Sequence, residues 1–567
     1  MNKYIGFLLL IIVCSGNFAV KAETTDKAEP KAIRVAPPAP RFTDAERQTE
    51  LARRRTEVFK QMKPNSVFIL RSAEARNYAG DVDFYYRQEN NLYYLTNLKQ
   101  NGTTLVLVKN GAENQEYLFL PKRNPQFETW NGKMYSNDDA QRISGVKTIV
   151  DSSETENFLQ SFKDKKAFAA KDGASINTAA ETVYLLLPFT EGDSNGAAEF
   201  GRESELSKTL SGYKVENARP IVDGLRRTKS AYEIKLMQHA IDITTEAQMR
   251  SMGMVGRAKY EYEVQAEVEY TFRRRNADYW GYPSIVGCGP NTTTLHYVES
   301  QGEVKSGDLM LMDVGAEYDH YTADVTRTYP VNGKFSKEQA QIYQIVYDAQ
   351  EAAAKLVKPG ASFKAVGEAA DEVIKDGLFK LGLITDKNSS QHRIWYMHGF
   401  GHWLGMNVHD VGSYGKPMEA GTIFTNEPGI YIREDALEYL PKTPEYAAFI
   451  EKVRPNYEKY KNIGVRIEDD LIVTTNGVEW MTKNLPRKIS EIEAFMSQAS
   501  KEMVLTESRH DAKPHLAVLD FDTNLFLNNN FSFNQTFAGK TVRRGWIHSG
   551  KNAANAGLSH LEHSSGE

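Results

Sequence analysis

The sequence predicts an α/β first domain followed by a second unit in which helices and strands also mix. Three observations lead there. From about residue 41 to 225, short apolar runs bounded by turn residues alternate with helix-period segments. A fresh helix start at Ser230 opens a second stretch of the same kind. The composition, 41% apolar and 25% charged over 567 residues, is that of a globular chain and argues against wholesale disorder or a multi-span membrane protein. The net charge of −5, from 69 Lys+Arg against 74 Asp+Glu, offers no basic surplus, so nucleic acid is not an expected partner. The two cysteines, Cys14 and Cys288, exclude a disulfide framework and any site built from several thiolates.

Residues 1–22 read as a signal peptide. Lys3 precedes an apolar run from Tyr4 to Val13, which is too short for a bilayer span of about 20 residues. Val20-Lys21-Ala22 supplies the −3 and −1 positions of a cleavage site. The expectation is a periplasmic or secreted protein with no permanent membrane span. The rival reading anchors a lipoprotein at Cys14, but Val13 stands where a small residue is usual. With cleavage after Ala22 only Cys288 remains, so no internal disulfide can form even in an oxidising compartment. Residues 23–40 carry Pro30, Pro37, Pro38 and Pro40 and read as an extended linker with little to bury.

The first domain is expected over 41–225. Leu51, Val58, Phe59 and Met62 at helical spacing predict an amphipathic helix from Asp44 to Met62. Ser66–Leu70, Thr104–Val108 and Tyr117–Leu120 are apolar runs of strand length. The second unit is expected over 226–496. Ser230-Ala231-Tyr232-Glu233 is a capping box, and the helix behind it carries Ile234, Met237, Ile241 and Thr244 on one side. Ser336-Lys337-Glu338-Gln339 starts another helix, which stops near Lys358-Pro359-Gly360. Leu309–Met312 reads as a strand leading into Asp313, and Asn462–Thr475 as a further strand. Residues 497–567 are left unassigned. Beyond about Met503 the chain becomes polar and aromatic without helical period, and His560 and His563 read as part of a solvated end rather than a metal pair.

Five residues stand in distinctive settings: Asp313 in Met312-Asp313-Val314-Gly315, Asp324 in Ala323-Asp324-Val325-Thr326, His402 in Gly401-His402-Trp403, Glu427 in Asn426-Glu427-Pro428-Gly429, and Glu468 in Arg466-Ile467-Glu468-Asp469-Asp470. Each alone has a plain structural reading: a turn aspartate, a packed core histidine, a glutamate at a turn, a solvated edge. Together and in order they form a pattern. Asp313-x10-Asp324, His398-x3-His402-x6-His409, Glu427-Pro428-Gly429 and Arg466-x-Glu468-Asp469-Asp470 closely resemble the pita-bread metallopeptidases, and within them the Xaa-Pro aminopeptidases (aminopeptidase P). Arg87-Gln88-Glu89-Asn90-Asn91-Leu92-Tyr93-Tyr94-Leu95-Thr96 resembles a segment of the same family's first domain. The resemblance runs from about Arg41 to Phe495.

The resemblance implies an α/β N-terminal domain of the creatinase/aminopeptidase P type, followed by an α+β pita-bread catalytic domain. Its site would lie in the concavity of a curved antiparallel sheet. It implies that Asp313, Asp324, His402, Glu427 and Glu468 ligate two divalent metal ions. The physics agrees: four converging carboxylates repel strongly in a low dielectric, and two divalent cations balance them. An oxygen-rich set with one imidazole suits manganese or another hard ion. Two such ions can hold a bridging water and deliver it as hydroxide for amide hydrolysis. By the same resemblance, Glu427 also handles the proton of that water, and His409 stabilises the tetrahedral intermediate at the scissile carbonyl. His296 binds substrate and handles protons, while His398 and Arg466 shape a pocket for proline. The implied substrates are peptides with proline in the second position, and members of the family are commonly homo-oligomers in which the first domain restricts access to the site, an assembly that the sequence of this chain leaves open. A prolidase acting on Xaa-Pro dipeptides uses the same ligands and is the nearest alternative. A methionine aminopeptidase fits less well, because most lack such a first domain. A catalytically silent binding module would usually have lost ligands, and none is lost here.

Strand alternation puts Arg466, Glu468 and Asp470 on one face and points Asp469 away. Asp410 reads as structural and Cys288 as a small strand-end residue. Forty residues separate Glu427 from Glu468, more than a compact bacterial pattern would have. The helix-like segment 433–462 is the excess, expected as a lid, an oligomer contact or surface decoration.

Overall fold

Asp44–Gln61 is helical, and its start is set by a capping box. The Thr43 side chain accepts from the Glu46 N–H while the Glu46 carboxylate accepts from the Thr43 N–H. This satisfies donors that a helix end otherwise leaves open. The helix buries Leu51, Val58 and Phe59, as the spacing predicts. In the computed structural model, which describes residues 31–176, 180–190 and 199–511, those up to Ser508 belong to one compact unit. The expected signal peptide, Cys14, His560 and His563 lie outside the described residues.

The first half is built on a six-stranded mixed sheet. Its order is Lys214–Asn217, Thr182–Leu185, Ser66–Arg71, Thr104–Asn110, Glu113–Leu120, Thr148–Asp151. Ser66–Arg71 runs antiparallel to Thr104–Asn110 and parallel to Thr182–Leu185. Both faces are covered, which is why the runs read as continuously apolar. Phe68, Leu70, Leu105 and Leu107 enter one core cluster, while Val67, Ile69, Val106 and Val108 enter another on the opposite face. The first of these clusters also holds Leu236, Met237, Tyr321, Leu404 and Met406, so the two halves share apolar core.

In the second half, Ala231–Met254 and Lys337–Leu356 start from the capping boxes read at Ser230 and Ser336. Strand Leu309–Val314 lies between Ile285–Cys288 and Val325–Pro330, antiparallel to both. It runs through Asp313, which is therefore a strand residue and not the turn residue of the plain reading. The single strand expected over Asn462–Thr475 is two strands, Ile463–Arg466 and Asp469–Thr474. They pair with different partners, Gly429–Ile432 and Ile423–Asn426. Cys288 is buried at a strand end and burial pushes its thiol up to about 12. The excess segment contains the helix Pro444–Tyr460, which buries Phe449, Val453, Tyr457 and Tyr460. The Tyr457 ring packs near Trp395, and the Tyr460 hydroxyl donates to Gln341 at 2.9 Å. It is thus packed down on the second half.

Residues 31–36 are extended but do not conform to a linker with little to bury. Ile33 is buried. The Ala32 and Ile33 N–H groups donate to the Glu502 carboxylate at 2.9 and 3.2 Å, and the Ala36 N–H donates to Glu246 at 2.8 Å. The last described helix, Ile489–Asp511, supplies Glu502 and continues past residue 496. Among the described residues, no helix is long and apolar enough to cross a membrane.

Candidate metal centre

Strand breaks place two of the acids. Ile423–Asn426 and Gly429–Ile432 leave Glu427-Pro428 between them, and Ile463–Arg466 and Asp469–Thr474 leave Ile467-Glu468 between them. The two gaps face each other, because Asn426 pairs with Asp469 and Gly429 with Arg466. Pro428 cannot donate to a ladder. The same register holds on both sides of the break and sets Glu427 opposite Glu468, and residues opposite each other in an antiparallel pair share a face, so both glutamates lie on the same side. The Glu468 N–H instead donates to the Thr326 carbonyl at 3.1 Å, which brings it to the strand that follows Asp324. Asp313 lies opposite Thr326 in that ladder.

His402 is delivered from a separate loop. Its N–H donates to Thr425 Oγ1 at 3.0 Å, and its carbonyl accepts from the Thr425 N–H at 2.9 Å. Gly401 makes this approach feasible: a Cβ there would lie 1.9 Å from the Thr425 carbonyl oxygen.

The convergence is close. Asp324, His402 and Glu468 each offer a ligand atom within 4.8 Å of the others. His402 Nε2 is 3.3 Å from Asp324 Oδ2 and 3.3 Å from Glu427 Oε1. Asp313 joins differently. The Tyr282 hydroxyl lies 2.5 Å from Asp313 Oδ1 and 2.6 Å from Asp324 Oδ1, while the other Asp313 oxygen forms an ion pair with Arg466. All five expected ligands are therefore brought together, with three in the tight cluster.

The electrostatics ask for a cation. Burial, then Asp313 and Glu427, pushes the Asp324 carboxyl well above the usual carboxylate range. Burial, then Asp324 and Glu427, does the same to Glu468. Burial and the adjoining acids also raise the Tyr282 hydroxyl, so it keeps its proton. That single proton can serve only one of the two aspartates it touches. A divalent ion would neutralise the remaining repulsion, and the oxygen-rich donor set with one imidazole fits a hard cation.

The residues expected to meet substrate flank this cluster. The Tyr431 hydroxyl is 2.8 Å from His398 Nε2 and accepts from Arg466 Nη1 at 2.8 Å, linking the two residues expected to shape a proline pocket. Arg466 Nε also donates to Thr326 Oγ1 at 3.2 Å, and Thr326 Oγ1 donates to Glu468 at 2.6 Å. The His409 ring meets the His402 ring edge-on at 4.2 Å. Burial, and then the neighbouring His402, lowers the His409 imidazole below its ordinary value, with Glu427 opposing and His296 adding. His296 is exposed and adjoins Leu295, whose carbonyl accepts from Arg466 at 3.4 Å. Asp470 accepts from the Asp324 N–H at 3.2 Å. Asp469 points away into the core, to Arg327 at 2.6 Å and Gln350 at 2.9 Å, so the alternation survives the strand break.

Three participants escaped sequence reasoning. Thr326 was legible in principle, since it lies two residues beyond Asp324, on the strand that follows it. Tyr431 follows Gly429 at the same period. Tyr282 carries no local signal, because its role depends on two aspartates far along the chain.

Comparison with known proteins matches residues 235–475 to metallopeptidase family M24 and residues 51–168 to the aminopeptidase P N-terminal domain. The chain is 36% identical to the Xaa-Pro aminopeptidase of Haemophilus influenzae, over 79% of this chain and 97% of that protein. It is 34% identical to the Xaa-Pro aminopeptidase of Escherichia coli, over 80% and 98%. Among solved structures, aminopeptidase P from Escherichia coli with the inhibitor Pro-Leu matches with a TM-score of 0.68 at 32% identity. That match covers 80% of this chain and 99% of that one.

Proposed function

The chain belongs to metallopeptidase family M24, as an enzyme with the aminopeptidase P N-terminal domain and a pita-bread catalytic domain, and from that premise we propose that it is an exported aminopeptidase cleaving the bond between a first residue and proline. The observation that carries the reading is the Asp324–His402–Glu468 cluster beside the His398–Tyr431–Arg466 chain. We assign Asp313, Asp324, His402, Glu427 and Glu468 as holders of two divalent ions, with manganese preferred by the hard donor set. Such ions supply Lewis acidity, which acidifies water and polarises the scissile carbonyl.

The chain's own residues do the rest. Glu427 presents one oxygen 3.3 Å from His402 and the other 3.7 Å from His398, so it can take a proton on its outer oxygen. His409, at the mouth beside His402, faces the developing charge on the carbonyl oxygen. Arg466 is held by Asp313 and Tyr431 and serves as a fixed wall rather than a free anion receptor. With His398 it bounds the space for the proline ring. Export rests on the apolar run and cleavage pattern of residues 1–22.

The test is a peptide panel on protein loaded with manganese. Release of the first residue from Xaa-Pro-Yaa peptides, and its loss on chelation, is expected. Turnover of Xaa-Pro dipeptides alone would make it a prolidase instead, and no turnover of either would overturn the reading. Glu468→Ala should lower turnover by at least about 10²-fold together with bound metal measured by elemental analysis.

A further inference from the structure

The loop from Trp403 to Asp410, which carries His409, is closed on itself but anchored elsewhere. The Asp410 N–H donates to the Trp403 carbonyl at 2.8 Å, and the Gly405 N–H donates to the Asn407 carbonyl at 3.2 Å. The second half holds it through the Leu404 N–H on the Ile423 carbonyl at 3.0 Å, the Thr322 N–H on the Gly405 carbonyl at 2.9 Å and Lys229 Nζ on Asp410 at 3.2 Å, and the remaining anchors come from the first half of the chain, from residues 87–91. Arg87 Nη2 donates to the Met406 carbonyl at 2.6 Å, and Asn90 Nδ2 donates to Asn407 Oδ1 at 2.7 Å. These two donors are locked to each other, because Arg87 Nη1 donates to Asn90 Oδ1 at 2.7 Å. Arg87 Nε is also paired with Glu317 at 2.8 Å, so the guanidinium is fixed at all three of its nitrogens. The far end of the loop is held through the same segment. Asn91 accepts from Arg226 Nη1 at 2.9 Å, and Arg226 Nη2 donates to the Asp410 carboxylate at 2.6 Å.

His409 therefore stands between two anchor points, Asn407 two residues before it and Asp410 one residue after it. We infer that Arg87 and Asn90 are positioning residues for His409, so that the first half sets the geometry of the catalytic loop as well as covering it. The inference rests on the role given to His409 above. Its physical basis is that a neutral hydrogen-bonded amide and a fully engaged guanidinium remove the freedom of a short loop. A shift of about 1 Å in a group facing the reacting carbonyl can cost up to about 10²-fold in rate.

The test is a double-mutant cycle on the full-length protein loaded with manganese, using Asn90→Ala, Asn407→Ala and the double variant. Each single change should lower kcat by about tenfold or more, with KM moving less than about twofold. The double variant should be no worse than Asn90→Ala alone, because Asn90→Ala already removes the Asn90–Asn407 contact that Asn407→Ala removes, together with the Arg87–Asn90 contact. Hydrogen exchange should quicken at the amides of residues 404–410 and stay unchanged in strand Ser66–Arg71. Unchanged kcat, additive losses, or unchanged exchange in the loop would each overturn the inference. If Asn90→Ala does not fold, Asn407→Ala carries both the kinetic and the exchange measurement. If the unaltered protein cleaves no Xaa-Pro peptide, that failure belongs to the functional reading, and the exchange arm alone then decides the clamp.

Discussion

Tyr431 carries a single buried hydroxyl that couples His398 and Arg466, the two residues proposed to bound the proline space. Phenylalanine keeps the ring and removes the oxygen, leaving Arg466 Nη1 and His398 Nε2 without that partner. A buried donor left unmatched costs about 1–3 kcal/mol. Tyr431→Phe should therefore raise KM for Xaa-Pro-Yaa peptides by about tenfold with metal content unchanged, as steady-state kinetics and elemental analysis would show. Glu89 offers a second test. Its carboxyl is pushed up to about 7, first by burial, with Glu199 adding and Arg226, the Asn91 and Leu92 N–H groups opposing. The folded state thus holds a proton that the unfolded chain releases near pH 4.5. The contribution of Glu89 to stability should therefore fall as pH rises from about 4.5 to 7. Glu89→Gln removes that titration, so its stability relative to wild type should climb through the same window by at most about 3 kcal/mol and then stay level. Urea melts at pH 4.5, 6 and 8 would check it.

At the scale of elements, the centre depends on how closely a loop can lie against a strand. The His402 backbone sits on Ile423–Asn426 because Gly401 has no side chain to strike the Thr425 carbonyl. Gly401→Ala must push the loop off the strand. Overpacking of this kind costs about 1–3 kcal/mol, and here the displaced residue is a proposed metal ligand. The expected result is lowered melting temperature and weakened metal binding together. Normal metal affinity in a destabilised protein would show that the ligand geometry does not depend on this contact. The two capping boxes and the apolar alternation were readable in advance, because they are local. The break between Arg466 and Asp469 was not, since it arises from two different strand partners meeting at one point.

For the whole molecule, the strap of residues 31–36 ties the start of the described chain to its last helix. Ile33 is buried, and the Ala32, Ile33 and Ala36 amides are held by Glu502 and Glu246. A chain beginning at Arg41 should melt a few degrees below one beginning at Lys31, as burial of an isoleucine is worth about 1.5–3 kcal/mol. Equal melting temperatures would mean that the strap contributes nothing to stability. Prolines marked this segment as extended. That it docks could not be read from them, because the acceptors lie more than two hundred residues away.

The sequence by itself determined the parts of this protein that depend on neighbours in the chain: the capped helix starts at Ser230 and Ser336, the amphipathic helix from Asp44, the apolar strand runs Ser66–Leu70 and Thr104–Val108, and five chemically distinctive residues in family order. Tertiary structure alone decided which atoms meet. It placed Tyr282 between two aspartates and turned Asp313 toward Arg466. It made Tyr431 the link between His398 and Arg466, and it set Arg87 and Asn90 of one half against the His409 loop of the other. The reason is physical: propensity, capping and periodicity act over a few residues, whereas ion pairs, buried hydroxyls and close backbone approach are fixed only when segments hundreds of residues apart pack together.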